Sequence, residues 1–233
     1  MKKILRLIKG KKKPVSLEIS KSTRCLIVAP HPDDEIIGCG GFMAKYAQNC
    51  DVFCLNSSGL AYKNITAEER ADMRIKEFHH VMDTLKIKNR WIFKIFGVPP
   101  FTKQIKDLMQ TYLSFLHLKQ YDYIFLPHSD DGHKEHRFIT NNIFKKMLRK
   151  QGCKKDLKIV FYEVWRPLFK PNYYLDISDV TKQKAKLISL YKSQLVGIDY
   201  VNKTLGLNCY RGGFANNIDY AEAYRIVPVR RYL

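Results

Sequence analysis

The 233-residue chain contains no CxxC pair, no long hydrophobic run and no GxGxxG glycine pattern. Each absence excludes a class of protein. Its six cysteines (Cys25, Cys39, Cys50, Cys54, Cys153 and Cys209) are too sparse for a disulfide-stapled extracellular scaffold. Cys50 and Cys54 stand four apart in a segment that reads as a strand, which is not a common metal-ligand spacing. The thiols are therefore expected to be reduced and the protein cytoplasmic. Near the start, the apolar residues Ile4, Leu5, Leu7 and Ile8 are interrupted by Arg6, too short a run for a signal peptide or a bilayer span. Gly38, Gly40 and Gly41 have GxGG spacing, which excludes a dinucleotide cofactor and is most simply explained by close helix–strand packing. Acidic charge is scarce: 22 Asp and Glu face 41 Lys and Arg, a formal net charge of +19.

That cationic excess favours anionic partners (nucleic acid, acidic lipid or phosphorylated substrates), with solvated surface lysine as the plain alternative. Lys2, Lys3, Arg6, Lys9, Lys11, Lys12 and Lys13 crowd the beginning, so residues 1–22 read as a basic N-terminal extension. Peripheral contact of residues 1–13 with an anionic membrane, at its inner face, is one reading of that segment. RNP-type aromatics, zinc-finger spacing and a helix-turn-helix signature are missing, so no nucleic-acid partner is expected. Residues 23–233 read as a single domain, and 45% hydrophobic residues suffice for its core.

From Thr23 onward, short apolar runs alternate with longer amphipathic stretches. Strands are expected over residues 24–29, 52–55, 91–96, 123–126 and 158–162, with helices over 38–48, 67–85, 101–116 and 135–149. Strands alternating with crossover helices imply right-handed βαβ units. The fold class is α/β: a three-layer α/β/α sandwich around a Rossmann-like, mostly parallel sheet. In such sheets the chemistry lies beyond the carboxyl ends of the strands.

Two polar clusters follow strands there. One is Ala29-Pro-His-Pro-Asp-Asp-Glu35; the other is His128-Ser-Asp-Asp-Gly-His-Lys-Glu-His136. A hydrolytic zinc site needs three protein ligands and one open position for water. His31 and Asp34 can reach one ion from a tight turn, and His133 and His136 share a face if a helix begins there. A ligand from this second segment would complete a His₂Asp set. The side chains of adjacent Asp33 and Asp34 diverge, so one can bind metal while the other deprotonates water. The spare histidine can stabilise the carbonyl oxygen or assist the leaving amine. Each residue also has a plainer reading: Asp33 as a helix N-cap, His31 as a hydrogen-bonded loop histidine.

Pro30-His-Pro-Asp-Asp-Glu-Ile-Ile-Gly-Cys-Gly-Gly41 and Gly132-His-Lys-Glu-His136 resemble the two motifs of the LmbE-like (PIG-L) family of zinc-dependent N-acetylglucosamine deacetylases. In the second motif Lys134 and Glu135 replace the family's usual Pro and Asp, which should alter support for a histidine rather than remove a ligand. The resemblance extends weakly from about Thr23 to Val227, through Arg74-Ile-Lys-Glu77, Lys184, Tyr191-Lys-Ser-Gln194 and Tyr220-Ala-Glu-Ala-Tyr224. It implies His31, Asp34 and His136 as zinc ligands and Asp33 as general base. It implies His133 as the group serving the carbonyl oxygen or leaving amine, and Glu135 as support behind a ligand. Arg74 becomes a candidate sugar contact, with a helix-face ion pair to Glu77 as its rival. Spacing does not choose between Zn²⁺ and Fe²⁺, Co²⁺ or Mn²⁺.

The resemblance thus implies hydrolysis of the acetamide of an N-acetylated amino sugar, in glycan or cell-envelope biosynthesis. The charge suits a nucleotide- or lipid-linked sugar. The alternatives are a zinc amidase acting on another amide, such as a thiol conjugate, and a basic nucleic-acid-binding module. Specificity is expected in the loops at residues 59–64 and 165–174, where Tyr62, Lys63, Trp165, Arg166, Lys170 and Tyr173 suit sugar stacking and phosphate pairing.

Overall fold

The computed structural model describes residues 15–17, 19–55, 65–94, 111, 115–215 and 218–233. Residues 1–13, the loop at 59–64 and most of the helix expected over 101–116 lie outside the described residues. Among the described residues, eight strands form one sheet: β1 (Val15–Ser16), β2 (Cys25–Ala29), β3 (Cys50–Cys54), β4 (Arg90–Ile92), β5 (Tyr123–Pro127), β6 (Lys158–Tyr162), β7 (Tyr173–Asp176) and β8 (Ala221–Pro228). Their spatial order is β1-β7-β8-β6-β5-β2-β3-β4. From β6 through β5, β2 and β3 to β4 every pairing is parallel, whereas β8 runs antiparallel to both β6 and β7.

The central strands β2 and β5 carry no charged residue because both faces are covered. All five residues of β2 are buried. Cys25, Ile27 and Ala29 face one hydrophobic cluster, with Phe42, Phe78 and Leu187. Leu26 and Val28 face the other, with Ile143, Met147 and Tyr232. The first layer includes α1 (Asp34–Tyr46), α2 (Ala67–Thr84), α5 (Thr181–Ser189) and α6 (Tyr200–Phe214). Opposite lie α3 (Lys134–Phe138), a π-helical segment at Ile139–Phe144, α4 (Lys145–Gln151) and the short α7 (Val229–Tyr232). The three-layer α/β arrangement is the expected one. Truncating a β2 residue such as Ile27 to alanine removes contacts on a filled face and costs about 2–5 kcal/mol.

Three local features differ from the sequence patterning. Helix α1 begins at Asp34, ahead of the glycines, so Asp34 and Glu35 occupy its first turn and complement the positive end of its dipole. The glycines lie inside the helix: a Cβ on Gly38 would stand 2.2 Å from Tyr162 Cδ2, and one on Gly41 would stand 2.4 Å from Ile177 Cγ2. Side chains there would force α1 off the sheet. β8 carries Ala-Glu-Ala-Tyr, a helix-prone string, yet forms a strand because β6 and β7 hold it on both edges. Finally, Val15–Ser16 pairs with β7 and Leu17 is buried, so the sheet reaches into the stretch before residue 23.

Candidate metal centre

The chain runs from β2 to β3 and β4 on one side, then returns to place β5 on the other side of β2. This reversal opens a crevice beyond the carboxyl ends of β2 and β5. The His31–Glu35 segment leaves β2 and the His128–His136 segment leaves β5, so both polar clusters meet there.

Asp34 Oδ2 is the centre of the junction. It accepts from the His31 backbone N–H at 2.9 Å, and lies 3.3 Å from His31 Nδ1 and 3.1 Å from His136 Nε2. The two ring nitrogens are 3.3 Å apart. Three donors around one tetrahedral ion with bonds of about 2.0–2.1 Å would be separated by about 3.3 Å. The observed triangle therefore fits a single divalent cation. His31, His133 and His136 also place one ring nitrogen each within 4.8 Å of one another. That spread is looser than one tetrahedral ion requires. His133 is the more open member, half-buried, with a buried Nδ1 that has no hydrogen-bond partner.

The two histidines of the triangle are each backed by a carboxylate. His31 Nε2 is 2.6 Å from Glu135 Oε2, and His136 Nδ1 is 3.2 Å from Asp131 Oδ1. Both rings thereby turn their other nitrogen into the crevice. Asp131 is completely buried; it also accepts from the His133 and Trp165 backbone N–H groups. Burial disfavours a charged His136, but Asp34 and Asp131 outweigh that and raise its pKa to about 10. Burial likewise opposes the charge on Asp34, yet the attraction of His136 and hydrogen bonds from both histidines hold its pKa low. Burial lowers His133, with the neighbouring imidazoles adding to the effect.

Asp33 occupies the N-cap position of α1, but its side chain caps nothing. Its φ of 112° is unusual for a residue with a Cβ, and such strain is held by the surroundings. Its backbone N–H donates to Glu35 Oε2 at 3.1 Å, and the other Glu35 oxygen accepts from the Tyr191 hydroxyl. Burial raises the Asp33 carboxyl to about 7, against the opposing pull of Arg74. Arg74 is itself buried; Nη2 donates to the Pro32 carbonyl at 2.9 Å and lies 3.7 Å from Asp33 Oδ1. Glu77, the rival partner for Arg74, accepts from Ser193 N–H and Oγ. Burial pushes Glu35 up to about 8.

A family profile described as PIG-L, GlcNAc-PI de-N-acetylase, matches residues 26–147, a span that includes both clusters. The chain belongs to the PIG-L family. Solved structures share the fold across most of this PIG-L chain. N,N'-diacetylchitobiose deacetylase from Pyrococcus horikoshii is 22% identical with a TM-score of 0.69, covering 91% of this chain and 86% of that one. A conserved protein from Thermus thermophilus is 24% identical with a TM-score of 0.63, covering 87% and 94%. The 4-carboxy-2-hydroxymuconate hydratase of Pseudomonas putida is 20% identical with a TM-score of 0.66, covering 88% and 96%. These likenesses establish the fold. A hydratase among them means that the chemistry has to be read from the site.

The structure brings His31, Asp33, Asp34, His133, Glu135, His136 and Arg74 to one crevice. Sequence reasoning assigned no role to Asp131 or to Tyr191, although Tyr191 opens one of the segments that carry the resemblance. Asp131 stood inside the second cluster, but its neighbour Asp130 is equivalent by spacing. Only the fold shows that Asp130 is exposed beside Arg166 while Asp131 is buried beside His136.

Proposed function

We propose that this PIG-L protein is a metal-dependent N-deacetylase that hydrolyses the acetamide of an N-acetylated amino sugar to acetate and a free amine. The observation that carries the reading is the triangle of His31 Nδ1, Asp34 Oδ2 and His136 Nε2, with sides of 3.1–3.3 Å, beside the strained Asp33. Those three residues are the proposed ligands. Zn²⁺ is the preferred occupant, and Fe²⁺, Co²⁺ or Mn²⁺ also suit a His₂Asp set. Such an ion polarises an amide carbonyl and brings the pKa of water towards about 7.

The remaining residues carry the proton work. Asp33 takes the proton of the attacking water, a role suited by a carboxyl raised towards neutrality. Arg74 and the Glu35–Tyr191 pair hold Asp33 where the turn places it; Arg74 is also the candidate sugar contact. His133, with its unpartnered Nδ1, supports charge growing on the carbonyl oxygen or assists the departing amine. Glu135 and Asp131 fix the orientation of the two histidine ligands. The six cysteines are free, as suits a reducing, cytoplasmic setting. No helix among the described residues is long and apolar enough to cross a membrane.

The test is acetate release by zinc-loaded protein from N-acetylhexosamines in free, nucleotide-linked and polyprenyl-linked form, with Asp33→Asn as control. Release that disappears in the control supports the reading. No release across the panel from metal-loaded protein would move the chemistry to a different amide.

A further inference from the structure

Between α1, α6 and β8 lies a pocket of about 160 Å³, room for one ring rather than for a whole drug-sized ligand. Ile37, Val164, Leu207 and Ala223 give it an apolar lining. Trp165 and Tyr200 add an aromatic corner, with ring centroids 5.8 Å apart. Its two carboxylates already have partners. Glu163 takes Arg211 on both oxygens, and Glu222 takes Lys184, Tyr224 and two α1 backbone N–H groups.

One buried group in the lining has no partner. Asn208 is 5% exposed, and its Nδ2 donates to the Ala221 carbonyl at 3.1 Å. A carbonyl can only accept, so that bond fixes the orientation of the amide and leaves Oδ1 as the free end. Oδ1 is buried and has no hydrogen-bond partner among the described residues. An acceptor buried in this way is costly unless something donates to it.

The aromatic corner joins this pocket to the metal crevice. Trp165 N–H donates to Asp131 Oδ2 at 3.1 Å, and a Cβ on Gly132, the residue before His133, would stand 3.1 Å from Trp165 Cβ. Ile37 N–H donates to the Asp33 carbonyl at 2.9 Å, one helical turn from the strained residue. Burial raises the Tyr200 hydroxyl, and the charges of Asp33 and Asp34 add to the effect, so that hydroxyl lies within their field. Both segments that build the crevice therefore border the pocket.

We propose that the pocket receives a neutral, mainly apolar ring carried by the substrate, whose one O–H or N–H donates to Asn208 Oδ1 while the ring packs in the Trp165–Tyr200 corner. This rests on the deacetylase reading for the substrate, but not for the pocket. Aromatic pairs favour such edge and face contacts with a third ring. A phosphate fits badly, because two carboxylates and a single exposed lysine, Lys203, line the space.

The experiment has two arms. First, phenol, a ring with one O–H, is titrated by NMR into metal-free protein and into Asn208→Leu, Trp165→Ala and Tyr210→Ala, the last removing an exposed ring from α6. About fivefold weaker binding in Asn208→Leu, the worth of one hydrogen bond, supports the pocket when Trp165→Ala is also weakened and Tyr210→Ala is not. Equal affinity in all four proteins overturns it, as does a crystal soaked in phenol whose pocket holds only an ordered water. Second, kcat/KM is compared for N-acetylglucosamine, its 4-hydroxyphenyl glycoside and its 1-phosphate. The parent protein should favour the 4-hydroxyphenyl glycoside, and Asn208→Leu should cut that preference about fivefold through KM, with kcat little changed. An unchanged preference alongside lost phenol binding rejects the substrate role, as does a parent protein that favours the 1-phosphate. Phenol binding with no acetate release from any sugar would leave the pocket standing and reject the deacetylase reading.

Discussion

Asp131 Oδ1 lies 3.2 Å from His136 Nδ1, while Asp34 Oδ2 lies 3.1 Å from Nε2 of the same ring. The imidazole is clamped between two carboxylates, one behind it and one in the crevice. Asp131→Asn keeps the shape and removes the charge. We expect about 10–100-fold weaker zinc affinity, the usual effect of losing a carboxylate behind a ligating histidine. Competition with a fluorescent chelator measures it; affinity within twofold of the parent protein would assign Asp131 to loop structure alone.

Asp33→Asn should separate chemistry from metal binding. Deacetylation should fall by roughly 10²–10⁴-fold, the span of a general base, while elemental analysis still finds one equivalent of metal. His136→Ala should instead lose the metal. Full activity in Asp33→Asn would remove the base from Asp33.

The metal-free protein should release protons when it takes up zinc. His136 is raised to about 10, so it is protonated at pH 7.5 and must give up that proton to ligate. Affinity should therefore rise with pH, by about tenfold per unit for each proton released, and level off near pH 10. Calorimetry in buffers of different ionisation enthalpy counts the protons. A count of zero at pH 7.5 would contradict the clamped imidazolium.

Lys184 and Glu222 form a completely buried ion pair at 2.6 Å, and Glu222 also accepts from Gly41 N–H, Phe42 N–H and Tyr224 Oη. Lys184→Met leaves that carboxylate without its cation beneath α1. A loss of about 3–5 kcal/mol is expected in urea unfolding. A loss below about 1 kcal/mol would mean that the α1 backbone donors and the Tyr224 hydroxyl suffice.

Much of the fold is legible in the sequence. The apolar strings of β2, β5 and β6 declare strands covered on both faces, because only a doubly covered strand omits polar alternation. Pro30–Glu35 and Gly132–His136 mark the candidate site, because imidazole and carboxylate at such density just after a strand have few structural uses. β8 was hidden, since Ala-Glu-Ala-Tyr favours helix until strands on both edges supply its hydrogen bonds. The start of α1 was hidden too, because the glycines that allow its close packing look like a helix boundary.

The sequence by itself determined the fold class, the excess of cationic charge and which side chains are chemically able to hold a metal. Those properties belong to local pattern and residue type. The tertiary structure alone decided that β5 returns beside β2, so that residues about a hundred positions apart share one oxygen, Asp34 Oδ2. It also decided that Asp131 rather than Asp130 stands behind His136. Distances between distant segments are set by strand order and helix packing, and neither is written in any short stretch of chain.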